Sequence, residues 1–257
     1  MNQNEKRRYL IKRLLNEKTE YFNMEIPENT TEQRRLLRSL MNVRMPKKID
    51  SEFLDIQNQY LQEINREKQV VSIDGIREVK PDIYLWKGDI TRLKVGAIVN
   101  AANSGMTGCY QPCHNCIDNC IHTYAGVQLR NYCSQIMENQ GHGEPTGQAK
   151  ITPAFNLPCD YVIHTVGPIV RGRLVPDNEE KLKSCYKSCL KIADENNVES
   201  IAFCCISTGV FGFPNQRAAE IAIETVMNYK RTTNSEIKVI FNVFKEEDEK
   251  LYRKLLG

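Results

Sequence analysis

From residue 69 onward, short apolar runs alternate with stretches of helical period, and no other feature restricts the fold as tightly. The runs are VVSI (70–73), IYLW (83–86), AIVN (97–100), QAKIT (148–152), YVIHTV (161–166), SIAFCCI (200–206) and KVIFNVF (238–244). Helices are expected near 118–139, 178–196 and 215–230, and over EEDEKLYRKLL at 246–256. Such alternation predicts an α/β chain whose largely parallel sheet is covered on both faces. Ligands of these sheets bind beyond the carboxyl ends of the strands. The residues that matter should therefore stand just after the strands.

The first part of the chain reads differently. Residues 1–80 hold one glycine, no cysteine and no histidine, and carry the whole net charge of +3. Three helices are expected: EKRRYLIKRLLNE, with Leu10 and Leu14 on one face; TEQRRLLRSLMNV, opened by a capping box from Thr30 to Gln33; and SEFLDIQNQYLQEINRE, capped by Asp50 or Ser51. Helices this short have little core of their own. They are expected to pack on the rest of the chain as a stabilising extension over 1–68, with the main domain over 69–257; the alternative is a lid or partner-docking surface.

Charge and hydropathy exclude several classes. A surplus of +3 does not predict nucleic-acid binding. No apolar run approaches the roughly 18 residues that span a bilayer, and no secretory pattern opens the chain. The expectation is a cytoplasmic chain whose ten cysteines are reduced thiols or metal ligands.

Three loops after strands carry candidate chemistry. In KGDIT, Asp89 can accept from an amino group or cap a turn. In VNAANSGMTG, Asn100 and Asn103 present amides beside small residues that let a ligand approach; the alternative is a hydrogen-bonded turn. In STGVFGFP, Ser207, Thr208, Gly209, Val210, Phe211 and Gly212 link a strand to a helix that can start at Pro214. Backbone N–H groups there can converge on an anion, and Phe211 and Phe213 put aromatic surface beside the glycines. The Lys of a Walker A loop is missing, which argues against an NTPase.

A fourth stretch, GCYQPCHNCIDNCIHTYAG, places Cys109, Cys113, Cys116 and Cys120 within twelve residues, with His114 and His122. Thiolate and imidazole together suit zinc. A three-ligand site would be open and chemical; a four-ligand knot, such as Cys109, Cys113, His114 and Cys116, would be structural. Asp118 and His122 share a helix face. Asp118 either meets a ligand at the strand ends or serves as an N-cap. His122 and His164 are expected to be satisfied core residues and His142 to be exposed.

GDIT (88–91), IVNAANS (98–104), DNCIHTYAG (118–126), PTGQAKIT (145–152), VIHTVGP (162–168) and STGVFGFP (207–214) together resemble the macrodomain family, in family order. The resemblance covers about residues 69–257. The stretch from Asp118 to Gly126 looks like the hydrolytic, MacroD-type branch. The preceding C-aromatic-x-P-x-H-x-C pattern is similar to the zinc-containing subgroup, whose members carry an N-terminal helical extension.

The resemblance implies a three-layer α/β/α fold with a mixed, largely parallel sheet. It implies that Asp89 and Ile90 hold adenine, that Phe244 lies against it, and that Ser207 to Gly212 wrap the diphosphate, with Phe211 near the distal ribose. Asn103 would bind that ribose, Asp118 would act on water or a hydroxyl, and Cys109, His114 and Cys116 would hold Zn²⁺. The implied activity is zinc-dependent removal of mono-ADP-ribose from protein side chains, with linkage to Asp or Glu. The implied substrate is a lipoylated carrier related to the glycine-cleavage H protein, modified by a sirtuin-type ADP-ribosyltransferase in an oxidative-stress response. Two other readings use the same pocket: a non-catalytic ADP-ribose reader, and a deacetylase of O-acetyl-ADP-ribose.

Overall fold

The computed structural model describes residues 1–257. Three helices come first: α1 (Gln3–Leu15), α2 (Thr30–Val43) and α3 (Ser51–Glu67). Asn2 and Glu5 form a reciprocal capping box on α1, and Asp50 accepts from the Phe53 amide at the start of α3. The cap of α2 is Asn29, which accepts from the Thr31 and Glu32 amides. The expected Thr30 cap is thus displaced by one residue, because the Asn side chain reaches the orphan amides from an extended backbone.

The remaining elements are β1 (Val71–Ser72), β2 (Glu78–Lys80), β3 (Ile83–Lys87), β4 (Leu93–Lys94), β5 (Ala97–Ala102), α4 (Ile117–Ala125), α5 (Val127–Gln140), β6 (Ala149–Pro153), β7 (Tyr161–Val166), α6 (Pro176–Glu195), β8 (Ser200–Phe203), α7 (Asn215–Thr233), β9 (Lys238–Val243) and α8 (Glu246–Leu256). The main sheet has the order β2-β3-β9-β8-β5-β7-β6. Its five inner strands run parallel, and β2 and β6 are antiparallel edges. The VVSI run falls outside it: Val71 and Ser72 pair only with β4.

The inner strands are buried along most of their length, which explains their continuous apolar runs. Helices α6, α7 and α8 pack together on one face; α4 and α5 cover the other, and α2 and α3 lie on α4. No helix is long and apolar enough to cross a membrane.

Two sequence expectations are corrected here. The single helix expected over 118–139 is two helices, broken at Gly126 with φ of 99°. A Cβ at Gly126 would meet Gln57 Nε2 at 2.7 Å, so this turn also sits tight against α3. The strand expected over SIAFCCI stops at Phe203, freeing Cys204 to Ile206 to begin the following loop.

The extension also has more core than its length suggests. Leu10, Ile11, Leu14, Leu37, Leu40 and Phe53 lead a separate cluster of 11 buried residues, which reaches the rest of the chain through Val127. Buried polar contacts complete the junction. Arg130 donates to the carbonyls of Met41, Asn42 and Arg44 at the end of α2, and to that of Thr107.

Candidate active site

Parallel pairing brings the carboxyl ends of β3, β9, β8 and β5 to one rim. Lys87 registers with Val243, and the Gly88 amide donates to the Val243 carbonyl. Asp89 and Phe244 therefore leave neighbouring strands side by side. Phe244 is 77% exposed, an aromatic ring with nothing of the protein covering it. Asp89 caps a short 3₁₀ turn and accepts from the Thr91 amide at 3.0 Å and hydroxyl at 2.6 Å. Lys68, just past α3, donates to the other carboxylate oxygen at 2.9 Å. Burial pushes the Asp89 carboxyl up, but the Lys68 charge and the Thr91 hydrogen bonds outweigh it and hold it below the usual range.

The loop after β8 is built to keep its amides free. Ser207 has φ of 65° and Gly212 φ of 69°. The Phe213 amide donates to Ser207 O and the Gly212 amide to Gly209 O, both at 3.0 Å. The amides of Gly209, Val210 and Phe211 have no partner in the protein, and Val210 is 81% exposed. The Ser207 hydroxyl is buried without a partner. Gly167, after β7, makes room for it: a Cβ there would sit 2.1 Å from Ser207 Oγ. Phe213 faces the core rather than the loop surface, leaving Phe211 as the aromatic at the rim.

After β5, Asn103 is exposed and held in place. Its Oδ1 accepts from the Gly105 amide, and its Nδ2 donates to Gly108 O at 3.2 Å and Asp118 Oδ2 at 3.4 Å. Asn100 is buried and donates to Asp118 Oδ1 at 2.8 Å. Asp118 lies in the first turn of α4 but does not cap it; the N-cap is Cys116, whose Sγ accepts from the Asn119 amide. Asp118 is thereby left to face Asn100 and Asn103. Burial pushes its carboxyl up to about 6, against the Asn100 hydrogen bond and the Arg130 charge.

Behind Asp118, His122 and His164 are buried and neutral, since burial drives both pKa values down. His164 pairs with Asn100 across the β5–β7 register and with Thr152. His122 departs from the expectation of a satisfied core residue: neither ring nitrogen has a hydrogen-bond partner. At 3.6 Å from Asp118 a neutral His122 makes no ion pair. His142 is exposed, as its Gly-rich turn suggests.

The cysteines separate in space. Cys109 Sγ, a His114 ring nitrogen and Cys116 Sγ lie within 4.8 Å of one another, with Cys109 Sγ 3.7 Å from His114 Nδ1. Ligands of a tetrahedral zinc stand roughly 3.5–3.8 Å apart, given bonds of about 2.3 Å to sulfur and 2.0–2.1 Å to nitrogen. The donor set fits that ion in chemistry, and the Cys109–His114 separation matches the spacing. Burial pushes the Cys116 thiol up to about 12, a preference that a divalent cation reverses.

Cys113 has φ of 52° and turns away to Ser39 Oγ, at 3.2 Å, and the Arg35 carbonyl. Cys120 faces Arg38. The four-ligand alternative that includes Cys113 is not what the structure assembles. The arrangement sets three donors at the start of α4, with Cys116 two residues before Asp118.

A macro domain model matches residues 99–222. A protein-ADP-ribose hydrolase of Treponema medium is 59% identical over the full length of both chains. The chain belongs to the macrodomain family. A protein-ADP-ribose hydrolase of Staphylococcus aureus strain MRSA252 is 47% identical, over 95% of this macrodomain chain and 92% of its own. The Trypanosoma brucei macrodomain solved in complex with ADP-ribose superposes with a TM-score of 0.68 at 29% identity, covering 90% of this chain and 97% of that one. Asp89, Asn103, Asp118, Ser207 to Gly212 and Phe244, singled out in the sequence, stand at the carboxyl ends of the strands of this macrodomain or in the loops that follow them. Sequence reasoning missed Lys68, which carries no motif, and Gly167, which shows its purpose only once Ser207 is placed.

Proposed function

We propose that the chain is a hydrolase that releases single ADP-ribose units from modified proteins, with zinc held by Cys109, His114 and Cys116. One observation carries this reading: the Cys109, His114 and Cys116 donors, Asp118 and Asn103 share one hydrogen-bonded corner. Asn103 links the carbonyl at the mouth of the metal loop to the Asp118 carboxylate, and Cys116 caps the helix on which Asp118 sits.

From β3 to β5 the rim spans three strand spacings, about 14 Å, a length suited to an extended diphosphate-linked ligand. Asp89, kept ionised by Lys68, accepts from the adenine amino group, with the Ile90 backbone beside it. Phe244 stacks on the ring, gaining from its uncovered surface. The free amides of Gly209, Val210 and Phe211, in the loop from Ser207 and Thr208 to Gly212, receive the diphosphate, and Phe211 approaches the distal ribose.

Asn103 positions the distal ribose hydroxyls. The remote contacts supply binding energy that orients the reacting bond. Cys109, His114 and Cys116 would hold the zinc, which would supply polarisation of an oxygen or a water of pKa lowered toward about 7. Asp118 Oδ2, the carboxylate oxygen with the longer and weaker hydrogen bond, takes the proton of a water or ribose hydroxyl. Asn100 keeps Oδ1 occupied so that Oδ2 faces the substrate.

The linkage proposed is to Asp or Glu, and the substrate proposed is the lipoylated carrier; support for both is the sequence resemblance. The test couples zinc stoichiometry to demodification of acidic-residue-linked and arginine-linked substrates, with and without chelator. One zinc per chain and chelator-sensitive release from the acidic-residue-linked substrate are expected. Full turnover by zinc-free protein would overturn the metal assignment.

A further inference from the structure

A cleft of about 660 Å³ lies between α2, α3 and α4, within the size range of ligand sites. It adjoins the metal loop through Cys113 and Asn115, and Asn115 stands between His114 and Cys116. Four cations line it, Arg34, Arg35, Arg38 and Lys68, against one carboxylate, Glu67. Glu67 pairs with Arg34 at 3.4 Å and Lys68 with Asp89 at 2.9 Å. Arg35 and Arg38 have no carboxylate within 4 Å. Arg38 donates instead to His114 O and Asn119, fixing its charge at the cleft floor. Leu61 and Ile64 of α3 give the same cleft an apolar wall.

We infer that this cleft seats the polypeptide flanking the modified residue of the substrate protein, and favours flanks that carry carboxylates among apolar side chains. The inference rests on the proposed hydrolase reading. In that reading the protein is attached at the distal ribose, beside Asn103, Asp118 and the metal loop. A chain leaving that point passes the loop, where Asn115 opens onto the cleft. Unneutralised Arg35 and Arg38 complement an acidic segment. The apolar wall suits side chains such as Leu or Val, and distinguishes this surface from a phosphate-tracking nucleic-acid groove.

The test uses two synthetic peptides, each with one ADP-ribosylated Glu, flanked by Glu and Leu in one and by Lys and Leu in the other. The full chain is expected to show a KM at least about fivefold lower for the acidic flank, at similar kcat. The exposed pair Arg34→Glu and Arg35→Glu is expected to abolish or invert that preference. Free ADP-ribose affinity should stay unchanged by calorimetry. Equal KM values for the two peptides, or a preference that survives charge reversal, would overturn the inference. So would inhibition by a short thymidylate oligonucleotide but not by the unmodified acidic peptide. If neither peptide is cleaved, the hydrolase reading fails. The dissociation constants of both modified peptides on Asp118→Ala then decide the cleft on their own: a flank-dependent difference supports it, and equal values reject it.

Discussion

Asp118 is the residue on which chemistry and structure divide most cleanly. A side chain that only capped a helix would show its loss as instability, but Cys116 holds the cap and Asp118 bonds to two asparagines instead. Replacing it with Ala should keep ADP-ribose affinity within a few-fold and cut turnover by about 10²–10⁴, the range of a lost proton-transfer group; single-turnover kinetics beside calorimetry checks this. Cys116→Ala tests the other half of the corner. Zinc per chain should fall well below one by elemental analysis, and hydrolysis should fall with it, while AMP, which engages only the adenosine end, should bind as before. Gly167→Ala tests the diphosphate loop from outside it. A Cβ 2.1 Å from Ser207 Oγ must push that loop, so ADP-ribose affinity should weaken by about tenfold or more, since loss of one charge-assisted hydrogen bond is worth about 1.5–3 kcal/mol.

At the scale of elements, the alternation of apolar runs made the sheet legible because strands buried on both faces leave continuous hydrophobic signatures. The short strands β2 and β4 left none: β2 sets a single apolar residue, Val79, between the charged Glu78 and Lys80, and is only partly buried. The break between α4 and α5 was hidden for a related reason. Helical period runs through Tyr124, Ala125 and Val127 without interruption, and only the φ of 99° at Gly126 marks the corner. Gly126→Ala would need that positive φ and would crowd Gln57 and Gln128. It should lower stability by about 1–3 kcal/mol in denaturant titration, more than a surface Gly→Ala change. The candidate metal donors were narrowed by the same kind of local geometry. Spacing allowed Cys113 as readily as Cys116, and what removes it is its left-handed backbone and its contact with Ser39, 74 residues away in sequence.

Taken whole, the molecule ties its N-terminal extension to its chemistry. The sequence favoured a stabilising appendage over a lid or partner-docking surface, since three short helices with no motif carry no chemistry to read. In the structure α2 braces the loop that carries Cys109, His114 and Cys116. Arg38 donates to the His114 carbonyl, Asn42 accepts from the Cys113 amide, and Arg130 gathers three carbonyls from the end of α2 while also holding Thr107. These contacts fix the backbone on both sides of His114, so the extension and the donor set form one mechanical unit. Arg130→Ala would leave several of these buried carbonyls without a donor, and a cost of about 3 kcal/mol or more is expected. Asn42→Ala is the more discriminating variant, because it removes the Cys113 anchor and one hydrogen bond to Thr123 while keeping the rest of the helix. Its melting temperature should drop by only a few degrees, whereas its zinc affinity, measured by competition with a chromogenic chelator, should fall about tenfold as the loop loses its preorganisation. Unchanged zinc affinity in Asn42→Ala would reduce the extension to packing alone.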